Sequence, residues 1–309
     1  VIEKHFEAAG VRGWLHARRL DTGAECGWGA DEPVVLASVV KVPLVLEFAR
    51  QVAAGQLDPR DRVRIGARDR LGGSGTAGCA DDVELSLRDA AYFAMTVSDN
   101  TAADVLCDRV GLDNVRSLVR ELGLARTRIA GAPRDIVASM IEDAGGAERF
   151  AELFRTFSAD RVLAMRALDP GWTNASTPRE MTALLGHLWT DQGEPAAQVR
   201  QWMGQQVFWS RLGGAFPPEA RVWGKTGTLP CIRNEIGVVE YPDGARFAVA
   251  VFTRSALLVQ RQPAVEQAIG AAAAAAVGKL RGRDGQQGRG DQQGWDGRDG
   301  QHGRDGWGG

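Results

Sequence analysis

Strand-like segments cluster near the two ends of this chain, and the long middle reads as helix. Residues 11–20 and 23–29 form a strand pair joined at Asp21-Thr22-Gly23, and strands return only at 220–226, 232–241 and 246–254. Between them lie helical patterns at 38–54, 86–96, 100–109, 113–122, 135–156, 178–190 and 196–208, and an Ala-rich helix follows at 263–280. A sheet can close only if the N-terminal strands lie beside the C-terminal ones, and the helical middle must then pack against it as a separate lobe. The predicted fold is α+β: an antiparallel sheet of N- and C-terminal strands flanked by helices, plus an all-helical lobe. The sheet lobe is expected from about 1–55 and 210–280 and the helical lobe from about 56–209, with a cleft at their junction.

Charge narrows the function classes. The 309 residues carry 37 basic and 39 acidic side chains, a net charge of −2, which creates no field for nucleic acid or an anionic membrane. The Ala run near the end of the fold is interrupted by Gly278 and Lys279 and is too short to span a bilayer. A soluble monomer acting on a small molecule is the expectation. Residues 281–309 contain only Gly, Asp, Arg, Gln, Trp and His, with glycine at every third position from Gly282 except Asp291. This period imitates collagen, but the segment has no proline, so a disordered tail is expected. Cys26, Cys79, Cys107 and Cys231 form no C-x-x-C pair, and His5, His16, His187 and His302 show no ligand spacing, so neither a metal nor a cofactor is indicated. The chain starts at Val1 without an apolar leader, which leaves both an exported and a cytoplasmic location open.

Only four of the basic residues are lysine, which gives motifs containing lysine extra weight. Ser38-Val39-Val40-Lys41 opens the helix at 38–54. Residues three apart share a helix face, so Lys41 can reach the Ser38 hydroxyl. Its neighbours Val39, Val40, Val42, Pro43, Leu44 and Val45 argue against a solvated lysine, and a desolvated amine beside a hydroxyl serves as a base. Ser98-Asp99-Asn100 precedes the helix at 100–109, and taken singly it reads as an N-cap. Lys225-Thr226-Gly227-Thr228 ends a strand, and taken singly it reads as a solvated edge. All three in this order arise by chance on the order of once in 10⁴ chains.

This set resembles the signature of class A β-lactamases and penicillin-binding proteins, S-x-x-K, S-D-N and K-T-G. The sixty-residue step from Ser38 to Ser98, the segment Leu87-Arg88-Asp89-Ala90-Ala91, and Ser176-Thr177-Pro178-Arg179-Glu180-Met181 extend the resemblance over roughly residues 5–280. The resemblance implies a serine hydrolase working through a Ser38 acyl-enzyme. Within it Lys41 is the general base, Ser98 relays a proton to the departing nitrogen, and Lys225 keeps the site electropositive. Asn100 is implied to hold the substrate's amide, Thr226 its carboxylate, and the backbone amides of Ser38 and Thr228 the oxyanion, with Gly227 between in the binding strand. Arg233, on the next strand, is implied to support the carboxylate. The implied substrate is an anionic β-lactam or acyl-peptide.

One departure bears on turnover. Class A enzymes carry a deacylating glutamate in an E-x-x-L-N segment, whereas the corresponding stretch, Ser158 to Thr173, has Asp160 and Asp169 but no glutamate. Glu142, Glu148 and Glu152 precede it on helical patterns and read as solvated. Opening of β-lactam amides, slowly, is the leading reading. A D,D-peptidase, esterase or acyl-transfer enzyme on the same scaffold is the alternative, and a non-catalytic β-lactam- or peptide-binding protein is the alternative of another class. Gly73-Ser74-Gly75-Thr76-Ala77-Gly78 fits G-x-G-x-x-G but opens no amphipathic helix, so a loop at the cleft mouth is expected. No G-x-S-x-G elbow is present. Trp202, Trp209 and Trp223 are read as lobe packing, with an aromatic pocket wall as the alternative.

Overall fold

In the computed structural model, which describes residues 2–290, the expected long-range pairing forms. Helix α1 (Ile2–Ala8) leads into strands β1 (Val11–Arg19), β2 (Glu25–Trp28) and β3 (Val34–Val35). A 3₁₀ turn over Ala37–Val40 continues as α2 (Lys41–Ala53). Strands β4 (Arg62–Ile65) and β5 (Val83–Ser86) precede α3 (Leu87–Thr96), α4 (Asn100–Val110), α5 (Leu112–Glu121) and α6 (Pro133–Ala144). Short helices α7 (Ala147–Ala151), α8 (Leu153–Thr156) and α9 (Ala159–Leu163) lead to β6 (Ala175–Ser176), α10 (Pro178–Thr190) and α11 (Glu194–Met203). Strands β7 (Arg221–Leu229), β8 (Ile232–Glu240) and β9 (Arg246–Ser255) and helix α12 (Pro263–Gly290) complete the order.

The main sheet runs β2-β1-β9-β8-β7, all neighbours antiparallel, so β1 sits between its own hairpin partner and the last strand of the chain. Both faces are buried, and β9 shows why its sequence is continuously apolar. Phe247, Val249 and Val251 point to the side covered by α1 and α12, where Phe6, Ile269, Ala272 and Ala276 lie. Ala248, Ala250 and Phe252 point to the helical side, against a core containing Leu36, Val42, Phe48 and Leu184. Gly13 is required here: a Cβ would lie 2.2 Å from the Phe6 ring that crosses β1.

Helix α2, expected with the sheet lobe, instead packs among the helices of the middle segment, with Val42, Val45 and Phe48 in one core with Ala90, Ala102 and Leu106. Nearly every residue from Lys41 to Gln51 is buried, which explains a helix apolar on all sides. The predicted start at Ser38 is corrected: the serine occupies the 3₁₀ turn and caps nothing. The helix predicted at 135–156 breaks into α6, α7 and α8 because Gly145 and Gly146 adopt φ of 86° and 120°, which end a helix. Helix α1 and the β4–β5 pair are additions. The short strands β4 and β5 alternate polar and apolar residues, too brief a signal to separate from loop. Helix α12 continues past its predicted end at 280, and Arg281 donates to Asp243 at 2.8 Å. The rest of the expected tail, 291–309, lies outside the described residues.

Trp202 is buried, and Trp223 meets Trp189 edge-on at 5.7 Å, so both pack the lobe, whereas Trp209 is 53% exposed. Among the described residues, Cys79, Cys107 and Cys231 carry free thiols. No helix of the described residues is long and apolar enough to cross a membrane. Phe252 links the sheet to the helical lobe at 1% exposure. Phe252→Ala should therefore cost about 3–5 kcal/mol in urea unfolding, and a loss under about 1 kcal/mol would contradict this packing.

Candidate active site

Three segments meet at the junction of the lobes, and two of them are held in strained backbone. Among the described non-glycine residues only Ala37, Ser98 and Cys231 have positive φ, at 49°, 59° and 62°. The first immediately precedes Ser38, and the second is the serine of the S-D-N segment. Such conformations persist only where surrounding structure fixes them, and they concentrate at functional sites. The fixing contacts are visible. Asp99 Oδ1 accepts from the Ala102 amide at 3.0 Å and Oδ2 from the Thr76 amide at 2.7 Å. The Gly73–Gly78 loop therefore packs on this segment; a Cβ on Gly75 would lie 2.3 Å from the Asp99 carboxylate.

The third segment is β7, an edge strand pressed against the 3₁₀ turn. Gly227 allows this approach, since a Cβ there would lie 2.6 Å from the Leu36 carbonyl. Asn234 on β8 ties the same region down, donating from Nδ2 to the Val35 carbonyl at 2.8 Å. Ser38 and Thr228 consequently line one cleft with Lys41, Asn100, Thr173 and Asn174.

Lys41 and Lys225 are at most 1% exposed. Lys41 Nζ donates to the Ser98 carbonyl at 2.6 Å and to Asn100 Oδ1 at 2.7 Å, and lies 3.3 Å from Ser38 Oγ and 3.4 Å from Ser98 Oγ. Lys225 Nζ donates to Ser98 Oγ and the Thr226 carbonyl, both at 2.9 Å. Ser98 Oγ thus bridges the two amines. Burial lowers the Lys41 pKa to about 7, against the opposing pull of Asp99 and Asp104. Burial, with Lys41 as a neighbouring cation, drives the Lys225 ammonium well below its ordinary range. The arrangement can deprotonate a serine and carry its proton across to a second hydroxyl.

Thr226 is buried, and its amide donates to Gln206 Oε1 at 2.7 Å. Arg233 is placed differently from its expected role. Its guanidinium donates to the backbone carbonyls of Leu229, Ile232 and Gln260 at 2.6–2.9 Å, bracing the β7–β8 turn. Although Arg233 lies opposite Thr228 in the β7–β8 ladder, the arginine whose guanidinium reaches that side chain is Arg211, with Nη2 donating to Thr228 Oγ1 at 2.9 Å and Nη1 to the Gly227 carbonyl at 3.1 Å. It precedes the strand in a loop without periodicity, so no sequence signal marked it.

The stretch from Ser158 to Thr173 contributes no carboxylate to the cleft. Among the described residues the lining includes no Asp or Glu. Asp169 Oδ1 accepts from the Gly171 amide at 2.8 Å, closing a local turn, and Asp160 lies in the first turn of α9. Glu142 and Glu152 pair on the surface with Arg166 and Arg155. The wall is instead built by Asn174, 3% exposed, which accepts from the Ala130 and Gly131 amides at 2.7 and 3.2 Å and donates to the Gly131 carbonyl at 3.0 Å. Asn174→Ala leaves these buried groups unpaired and should cost about 2–4 kcal/mol in urea unfolding, while a change under about 0.5 kcal/mol would contradict this role for the side chain.

A family model described as "Beta-lactamase enzyme family" matches residues 1–280. A Streptomyces cacaoi protein named beta-lactamase regulatory protein BlaB is 30% identical over 277 residues, 83% of this chain and 89% of its own. Among solved structures, a beta-lactamase from Sphaerobacter thermophilus superposes with a TM-score of 0.71 at 26% identity, covering 89% of this chain and 95% of that one. An ancestral class A beta-lactamase gives 0.73 at 21% identity, covering 90% and 98%.

Proposed function

The chain belongs to the beta-lactamase enzyme family, and from this membership we propose that it acylates Ser38 with β-lactams and releases the acyl group slowly. The family and fold are those of a serine hydrolase. The observation that carries the finer reading is the position of Lys41, buried and 3.3 Å from Ser38 Oγ. Its neutral amine takes the serine proton as Oγ forms a bond to the lactam carbonyl. The backbone amides of Ser38 and Thr228 hold the oxyanion. Collapse of that intermediate breaks the C–N bond, and Ser98 Oγ hands its proton to the departing nitrogen while being resupplied from the Lys41 side. Lys225, 2.9 Å away, favours the transient Ser98 alkoxide.

Asn100 orients the amide of the acyl side chain. Thr226 and Thr228, supported by Arg211 in the role expected of Arg233, take the substrate carboxylate. Hydrolysis requires a second base to draw a proton from water as its oxygen attacks the acyl carbon and the Ser38 ester bond breaks. Among the described residues the lining of the cleft beside Ser38 includes no carboxylate for that step, and this supports slow release. A second reading follows from the same observation and from the name of the Streptomyces cacaoi relative, a regulatory protein: a long-lived acyl form serving to sense β-lactams.

Incubation with a penicillin should add one acyl mass to the Ser38 peptide, absent in Ser38→Ala and slowed roughly 10²–10⁴-fold in Lys41→Ala. Because Lys41 acts as the neutral amine, the labelling rate should rise through about pH 7 and level off above it. Equal labelling of another serine, or a rate independent of pH across that range, would contradict the assignment. Arg211→Ala should weaken capture of carboxylate-bearing β-lactams by roughly 10-fold or more, the scale of a charged hydrogen bond. It should spare a neutral fluorophosphonate; equal loss with both reagents would contradict the carboxylate role.

A further inference from the structure

Three carboxylates are buried near the two lysines, and they are held differently. Asp99 has both oxygens engaged by backbone amides. Glu235 accepts from Gln206 Nε2 at 2.7 Å on one oxygen and from the Leu212 amide at 2.8 Å on the other. Asp104 is 5% exposed and uses only one: Oδ1 accepts from the Arg134 amide at 3.0 Å, while buried Oδ2 has no hydrogen-bond partner. Asp104 follows Asn100 by one turn of α4 and shares its face. Asn100 is the residue whose Oδ1 receives Lys41 Nζ.

Asp104 has no direct ion pair among the described residues, although Arg62, Arg64, Arg68, Asp69 and Arg109 line the same cleft. From α6, the Arg134 guanidinium pairs with Asp108 yet still favours the Asp104 anion from a distance, ahead of Lys41, and Asp135 accepts from the Ala132 amide at 2.8 Å. From α4, the Cys107 thiol is pushed up to about 12 by burial and stays uncharged. From α2 comes Lys41, a cation within electrostatic range. An unpaired buried carboxylate is destabilising, and its retention calls for a role.

We propose that Asp104 is a positioning residue acting through Lys41: its carboxylate is the counter-charge for the ammonium formed when Lys41 takes the Ser38 proton. The inference rests on the reading of Lys41 as the base. Proton transfer to Lys41 creates a cation beside Lys225 in a water-poor site, and a nearby anion offsets that repulsion. Asp99 and Glu235 have both oxygens committed to neutral donors, whereas Asp104 keeps one buried oxygen uncommitted among the described residues. Burial raises Asp104 to about 6 and Lys41 pulls against that rise, while Asp104 in turn opposes the lowering of Lys41 by burial.

The test follows labelling of Ser38 by a fluorophosphonate in the full chain between about pH 5 and 9. Asp104→Asn keeps the shape and the bond from the Arg134 amide but removes the charge. Lys41 then holds its proton less tightly, so the midpoint of the rising limb should fall by about 0.5 unit or more and the plateau rate by roughly 3–30-fold. Asp104→Glu should restore the midpoint. A loss of rate at every pH with an unmoved midpoint, or no change at all, would overturn the proposal. Should Asp104→Asn fail to fold, carboxyl ¹³C titration of the wild-type chain and of Lys41→Met decides: the Asp104 midpoint should rise without its cation, and an unchanged midpoint would overturn the idea. Wild-type chain that fails to label at Ser38 would instead refute the acyl-enzyme reading, so the two failures are distinguishable.

Discussion

The arrangement of the site depends on holding one lysine out of water among oxygen acceptors. Lys41 sits at the start of a helix whose sides are almost all buried, and its Nζ reaches the Ser98 carbonyl, Asn100 and Ser38 at once. An ammonium there loses hydration and recovers only part of it through these acceptors, which brings its pKa down to about 7. Shallow placement of α2 would leave an ordinary surface lysine and an unreactive serine. Chemistry and core packing are therefore coupled through a single helix.

The fold serves this placement from both sides. The N-terminal strand lies beside the last strand, which sets the register of β7 against the 3₁₀ turn that carries Ser38. Gly227 lets the two backbones approach, and Asn234 anchors the preceding segment. On the helical side, Asp99 pins the strained S-D-N turn to the glycine-rich loop. Local strain at Ala37 and Ser98 is thus maintained by distributed hydrogen bonding rather than by one contact.

Much of this was legible in the sequence because the informative signals are local. Three residues separate Ser38 from Lys41, apolar residues flank the lysine, and the strands alternate or run apolar over nine or ten positions. What escaped was set by tertiary contact. Arg233 and Arg211 differ in role through the direction of their guanidiniums, one onto turn carbonyls and one onto Thr228, and no spacing encodes that direction. The tandem glycines at 145–146 were visible as residues, but an otherwise helical pattern masked the break. Asp104 read as one more polar position on a helix; its significance appears only when its oxygen proves to be buried and unpaired.

We propose that the site is complete for acyl transfer to Ser38, while the lining of the cleft beside it includes no carboxylate among the described residues. The most direct measurement is a rapid-mixing time course with a chromogenic β-lactam, with intact mass read at each time. A burst of about one equivalent of ring-opened product, an acyl mass that persists, and a steady state far below the burst rate are expected. Linear turnover above roughly 100 s⁻¹ with no burst and no accumulated acyl mass would contradict it.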